Sequence, residues 1–395
     1  VLWSRAWLRK YAPDVTLRSQ GNRKMPSINI VDTGVVYRNP KPALVSRHAY
    51  FPSLMALPNG DIVATMDIGS AFEAVDIRSY VCRSSDQGKT WTQPVQIFEP
   101  DESRHPISTT CRVNSLPDGS LIGWACLFDR TRTDMGLADP RTGGFVRTEF
   151  AVVRSNDGGN SWSELRPVEL PVDWDYFETC SPPVIVGDRI LVPSSPMKST
   201  AGEYPDIPPG VAFTSMDGGK TWPEMVTLIP GGQSDPSAWE LKLTTLSDGR
   251  ALAVCWSHDP VSNTVVDNRW VVSSDGGASF SEPASTGIHG ETCTPIGLED
   301  NRVLSLYRRS DKPGVWAQLA QVDNGSWTSL ADQAVWGGPG YTDGRLDSGG
   351  LFENMSDLQM GLPTLIHLPG GDVLAAFWCV EHCVSNIRWY RIKIG

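Results

Sequence analysis

Long apolar runs are missing from this 395-residue chain, and without a continuous stretch near 18 residues a membrane-spanning helix is excluded. Positive charge is also short, 34 Lys and Arg against 45 Asp and Glu, so the net charge of -11 argues against a nucleic-acid partner held through its phosphates. Eight cysteines are too few for a disulfide scaffold, and Cys82, Cys126, Cys255 and Cys379 sit in apolar runs where a thiol packs as a small hydrophobe. A reduced, cytoplasmic protein is expected. Glycine-rich nucleotide loops, a P-loop, HExxH and paired-cysteine zinc spacings are all missing, so no cofactor is implied. Cys379, His382 and Cys383 lie close together, but no second cluster completes four metal ligands. What is present, 40% hydrophobic residues with 15 Trp, is too apolar for a disordered chain.

The first 24 residues carry Arg5, Arg9, Lys10, Arg18, Arg23 and Lys24 against the single acid Asp14, and lack the apolar core of a secretory signal. The first Met is Met25, directly ahead of the strand-like SINIV. Residues 1–24 therefore read either as a disordered basic tail or as sequence upstream of the true start, and residues 25–395 as one domain.

Two kinds of turn punctuate that domain. SSDQGKTW (84–91), SNDGGNSW (155–162), SMDGGKTW (215–222) and SSDGGASF (273–280) repeat one pattern, with DNGSW (323–327) as a shortened fifth copy. Asp accepts backbone N–H groups across such a turn, Gly takes positive φ at little cost, and the aromatic packs between sheets. LPNG (57–60), LPDG (116–119), LSDG (246–249) and LPGG (368–371) interleave with them, with weaker cousins at 186–188 and 298–301. Short β-branched runs follow each, and no amphipathic helix is evident between residues 40 and 395. The period is that of a four-stranded unit repeated six times. An all-β, six-bladed propeller follows, its ring closed if the strand near 27–37 joins the last sheet beside WYRIKI.

The S-x-D-x-G-x-[ST]-[WF] segments resemble the Asp boxes of the sialidase (neuraminidase) superfamily. That resemblance implies a six-bladed propeller with its pocket on the face opposite the boxes. On that face the innermost strands begin. Counting eight residues back from Asp248 of LSDG reaches Glu240, and the same count from Glu299 reaches Glu291; the matching slot of the third unit is Glu178, with ETCSP and ETCTP nearly identical. Three carboxylates from three blades are expected to enter one funnel.

Sialidases grip the substrate carboxylate with three arginines, use an Asp as general acid/base, and use a Tyr activated by a Glu as nucleophile. Carried over residue by residue, Glu240 matches that Glu, Arg269 matches the second arginine, and Asp76 lies about where the catalytic Asp is expected, with Glu73 competing. Other positions depart. The family's YRIP is here AYFP, which puts Tyr50 in the first arginine's slot and leaves Arg47 or His48 to substitute from another backbone position. The third arginine has no aligned counterpart, although Arg308 and Arg309 follow the second strand of the fifth unit. The slot of the nucleophilic Tyr holds Leu362.

Crowded carboxylates without an arginine trio repel an anionic sugar and raise the pKa of at least one acid. The expected partner is a carbohydrate, neutral rather than sialic, stacked on Trp239, Trp256 or Trp378, each of which could equally be inter-blade packing. The leading expectation is a glycoside hydrolase acting on a terminal sugar, with Asp76 as acid and Glu240 as base or nucleophile, Glu178 and Glu291 binding or tuning, and Arg269 and Arg308 offsetting the acidity. Asp129, or Asp259 beside His258, are alternative acids. Two other readings stay open: an exo-sialidase whose arginine cluster is rebuilt from Arg47, Arg269 and Arg308 or Arg309, and a non-catalytic carbohydrate-binding propeller.

Overall fold

A strand whose two faces are both apolar has to be covered on both sides, and most second and third strands here are buried almost throughout, as in Ile62–Gly69 and Gly210–Ser215. Stacking sheets around a ring meets that demand. The computed structural model describes residues 26–232, 234–323, 325–337 and 358–395, and among them places six antiparallel sheets as the blades of a propeller. Blade 1 runs through His48–Ala56, Ile62–Gly69, Arg78–Ser84 and Val95–Gln96; blade 2 through Ile107–Ser115, Leu121–Asp129, Thr148–Ser155 and Arg166–Pro167. Blade 3 has its innermost strand split into Phe177–Glu178 and Val184–Val186, followed by Arg189–Pro196, Gly210–Ser215 and Glu224–Ile229. Blade 4 comprises Trp239–Thr245, Ala251–Asp259, Thr264–Ser273 and Ala284–Ser285, and blade 5 Gly290–Gly297, Arg302–Arg309, Val315–Asp323 and Ser326–Trp336.

Blade 6 closes the ring as expected. Its strands Met360–His367, Val373–Glu381 and Val384–Ile394 are completed by Ile28–Tyr37 from the other end of the chain, in register from Ile28 opposite Ile394 to Tyr37 opposite Ile387. Six apolar clusters fill the six blade interfaces, one each, so every blade buries both faces against its neighbours. The one helical element among the described residues is a 3-10 turn, Glu299–Asn301, and no helix there is long and apolar enough to cross a membrane. Residues 1–24 lie outside the described residues.

Both families of turn fall at the lower face. In the LPNG-type turns the Leu amide donates to the carbonyl of the residue just ahead of the second strand, as in Leu57 to Asp61 and Leu246 to Arg250. The Asp boxes join third to fourth strands. In the box at 215–222, Asp217 accepts from the Ser215 hydroxyl, from the amides of Lys220 and Thr221, and from the Thr221 hydroxyl, while Gly219 N–H closes onto Ser215 Oγ. Neighbouring boxes are tied together: Arg83 of blade 1 donates to Gly158 O in the blade 2 box, and Arg154 of blade 2 to Gly218 O in the blade 3 box. The Asp217 carboxyl is held below its ordinary value by these donors. Its contribution to stability is therefore full above the unfolded value of about 3.9 and lost as pH falls below it. Asp217→Ala is expected to lower the thermal midpoint at pH 7, with the gap to wild type narrowing below about pH 4 in a melting series; a gap independent of pH would contradict this origin.

Candidate functional site

At the upper face, four innermost strands carry a register shift near their first residues, at Tyr50/Ser53, Trp239/Lys242, Glu291/Thr294 and Gly361/Thr364. Each is a β-bulge, and one residue in each takes a left-handed φ: Phe51 at 51°, Glu240 at 48°, Thr292 at 55° and Leu362 at 46°. Left-handed backbone in a non-glycine residue costs on the order of 1–3 kcal/mol and concentrates where structure serves a site. All four residues line a central cavity of about 140 Å³. Phe51, Glu240, Thr292 and Leu362 each stand six residues ahead of the leucine of the lower turn, Leu57, Leu246, Leu298 and Leu368. Thr110, six ahead of Leu116, lines the cavity from the unbulged blade 2.

This register corrects one sequence alignment. Glu291 pairs with Arg308 as Trp239 pairs with Trp256, so Glu291 is the counterpart of Trp239, and Thr292 that of Glu240. Glu291 nonetheless reaches the cavity, because a bulge turns two successive residues toward the same side. Glu178, Glu240 and Glu291 therefore do converge, and Glu73 joins them.

The cations of the cavity are already engaged. Arg308 pairs with Glu291 and donates to Met360 O at 2.9 Å. Arg112, which the sequence reading missed, lies 3.0 Å from Asp67, with both side chains almost fully buried. Lys242, 4% exposed, donates to Cys180 O. Arg112 and Lys242 stand four residues ahead of Leu116 and Leu246, so anchoring on the turn leucine would have revealed both. With those two ion pairs closed, Lys242, behind the cavity wall, offsets Glu178 and Glu240, and Arg130 offsets Glu73.

The consequence is protonation. Burial, reinforced by the neighbouring Glu178 charge, pushes the Glu240 carboxyl up to about 8. Glu178 is raised by burial too, although its Oε2 accepts the Glu240 amide at 3.1 Å. Glu73, also raised by burial, accepts the Leu137 amide at 2.7 Å. Lys242 is lowered by the same desolvation. Single ligand atoms of Glu178, Cys180 and Glu240 lie within 4.8 Å of one another, a donor set that could hold a cation. The Lys242 ammonium packed against it opposes a metal there, and burial holds the Cys180 thiol protonated. The arrangement is an acid pair with an internal counter-charge.

Several expected residues stand elsewhere. Asp76 is on the rim, exposed, and accepts from the amide and hydroxyl of Ser70 at 3.0 and 2.9 Å, because the turn at 71–77 points Glu73 inward and Asp76 back toward Ser70. Arg269 braces the blade 4 backbone, bonding Ser257 Oγ and the carbonyls of Pro236 and Ser237. Arg309 turns outward to Asp311 and Asp332 and lies over Trp316. Arg47 stacks over Tyr80, 5.0 Å from the ring centre. His48 accepts the Ser385 amide at Nδ1, and Tyr50, 5% exposed, packs edge-on against Phe72 and Trp378. None of these six lines the cavity. Asp129 accepts the Thr131 amide and Asp259 the Val261 amide, each within its own hairpin. Trp239, Trp256 and Trp378 do line the cavity, and Trp239 and Trp256 also pack edge to face at 4.8 Å.

A family model described as a BNR repeat-like domain matches residues 60–374. Among solved structures, a Dyadobacter fermentans protein of unknown function is similar at 20% identity and a TM-score of 0.66, over 93% of this chain and 99% of that one. The NanB sialidase of Streptococcus pneumoniae aligns at 12% identity and 0.61, over 91% of this chain and 70% of that one. A Penicillium chrysogenum alpha-L-arabinanase complexed with arabinobiose aligns at 16% identity and 0.61, over 92% and 98%. No curated protein sequence matches.

Proposed function

The chain belongs to the BNR repeat-like family, and from that premise we propose that it is a glycoside hydrolase removing a neutral terminal sugar, with Glu240 and Glu178 as its catalytic acids. The observation that carries this reading is the electrostatics of the cavity: half-buried carboxylates in excess, and both lining arginines already paired. A sialic acid would bring a carboxylate against Glu73, Glu178 and Glu240, with the two guanidiniums that line the cavity, Arg112 and Arg308, already paired to other acids. A neutral sugar instead donates its hydroxyls to carboxylates and lays its apolar face on Trp239. Similarity in fold to both a sialidase and an arabinanase supports the coarser class.

Size favours a chain end. An engineered cavity of about 150 Å³ takes up one benzene ring, so about 140 Å³ suits a single sugar ring. Oxygens of Glu178 and Glu240 lie within 4.8 Å of each other, close enough for both carboxyl groups to reach one anomeric carbon, and we adopt the retaining route, in which the carboxyl groups stand about 5–5.5 Å apart. In the first step Glu240 gives its proton to the glycosidic oxygen as the bond to the anomeric carbon breaks, and a Glu178 oxygen forms the new bond to that carbon. Water then displaces Glu178, returning its proton to Glu240. Burial keeps Glu240 protonated at neutral pH, as the first step requires.

A panel of 4-nitrophenyl glycosides tests this directly: α-L-arabinofuranoside, α- and β-D-glucoside, β-D-galactoside and α-sialoside. Turnover of a neutral member with net retention, read by proton NMR of the first-formed sugar, is expected. Turnover of the sialoside alone would reverse the assignment, and no turnover of any member would favour a binding propeller.

A further inference from the structure

Beside the funnel lies a second, larger pocket of about 320 Å³, built by loops of blades 2, 3 and 4. Met197 and Trp239 line both, so the two adjoin across a shared wall. We propose that this second pocket binds the leaving-group side of an oligosaccharide whose terminal ring occupies the funnel. The inference rests on the glycosidase reading of the funnel.

Three features support it. The walls are aromatic and flat in the manner that suits pyranose or furanose faces: Trp239 stacks on His258 at 5.7 Å and 11°, and Tyr204, 43% exposed, lines the pocket with Lys198 held 4.7 Å over its ring. Polar side chains at the margin, Asn263, Asp235 and Lys198, offer donors and acceptors for hydroxyls. The volume is more than twice that of the funnel, room for about two rings against one on the same comparison. Trp239 holds the two together: its edge-to-face contact with Trp256 fixes it in the funnel wall, while its stack with His258 forms the pocket wall. The sequence places Trp239 beside Glu240, so a bond cleaved at Glu240 leaves its aglycone at this aromatic lip.

The test compares short and long substrates on wild type, Tyr204→Ala and His258→Ala. Arabinotriose, maltotriose and cellotriose are measured beside the 4-nitrophenyl glycosides of the same sugars. For the sugar that is turned over, each substitution is expected to lower kcat/KM on the trisaccharide about tenfold, which is about 1.4 kcal/mol, mainly through KM, and to leave the aryl glycoside within about twofold. Equal losses on both substrates, or none on the trisaccharide, would overturn the subsite while leaving the hydrolase reading intact. If wild type cleaves nothing, the hydrolase reading fails by itself, and titration of the same trisaccharides followed by Trp fluorescence decides the subsite. Binding weakened about tenfold by Tyr204→Ala would keep it; no binding, or binding unchanged by either substitution, would end it.

Discussion

Glu240→Gln is expected to lower kcat/KM on the neutral glycoside by about 10²–10⁴-fold at pH 7, the usual contribution of a positioned general acid. The substitution keeps the shape and removes the proton that leaves with the aglycone. In wild type the rate should fall above about pH 8, where Glu240 ionises, and that alkaline limb should vanish from the residual activity of the variant. Stability provides an independent readout. The folded chain holds the Glu240 proton more tightly than the unfolded chain, so between the ordinary carboxyl value near 4.5 and about 8 this group makes stability fall as pH rises. The variant should therefore melt higher than wild type at pH 8 and close to it at pH 4. Activity within threefold of wild type, with an unchanged pH profile, would remove Glu240 from the chemistry.

The second large effect concerns the floor of the funnel. Asp67 is fully buried and Arg112 nearly so, 3.0 Å apart, with Ser79 Oγ donating to Asp67 at 2.8 Å. Breaking such a pair by removing one partner costs about 3–5 kcal/mol, because the remaining charge stays desolvated. Arg112→Met is expected to lose that much in urea unfolding, enough to unfold a marginal domain. Burial already pushes Asp67 up to about 6 even with Arg112 beside it, so the variant should survive better at acid pH, where Asp67 is neutral. The double variant Asp67→Asn with Arg112→Met should recover more than half of the loss. A cost under about 1 kcal/mol for Arg112→Met would mean that water reaches the pair in solution.

The lower face of the propeller was readable from local chemistry. Each Asp box satisfies its own turn within eight residues, so its pattern survives in the sequence whatever the rest of the chain does. The upper face was harder. The count from Asp248 and Glu299 treated two turns as equal, yet the amides that close them belong to Leu246 and Leu298, one residue different in relative position. One residue moves a side chain across a strand, and only the bulges kept Glu291 in the funnel. Asp76 and Glu73 show the same limit: three residues apart in a short loop, they exchange places because the loop turns on contacts with Ser70 and Leu137.

The sequence by itself determined the ring: short β-branched apolar runs, two families of self-contained turns and a partner for the last sheet leave six stacked blades as the way to cover both faces. Only the tertiary structure decided the charge of the site. Whether an arginine is available depends on which acid it meets, and Arg112 meets Asp67 across 45 residues while Arg308 meets Glu291 across 17. The first pair joins two blades and the second two strands of blade 5; both are set by distance in space, over which a count along the chain has no control.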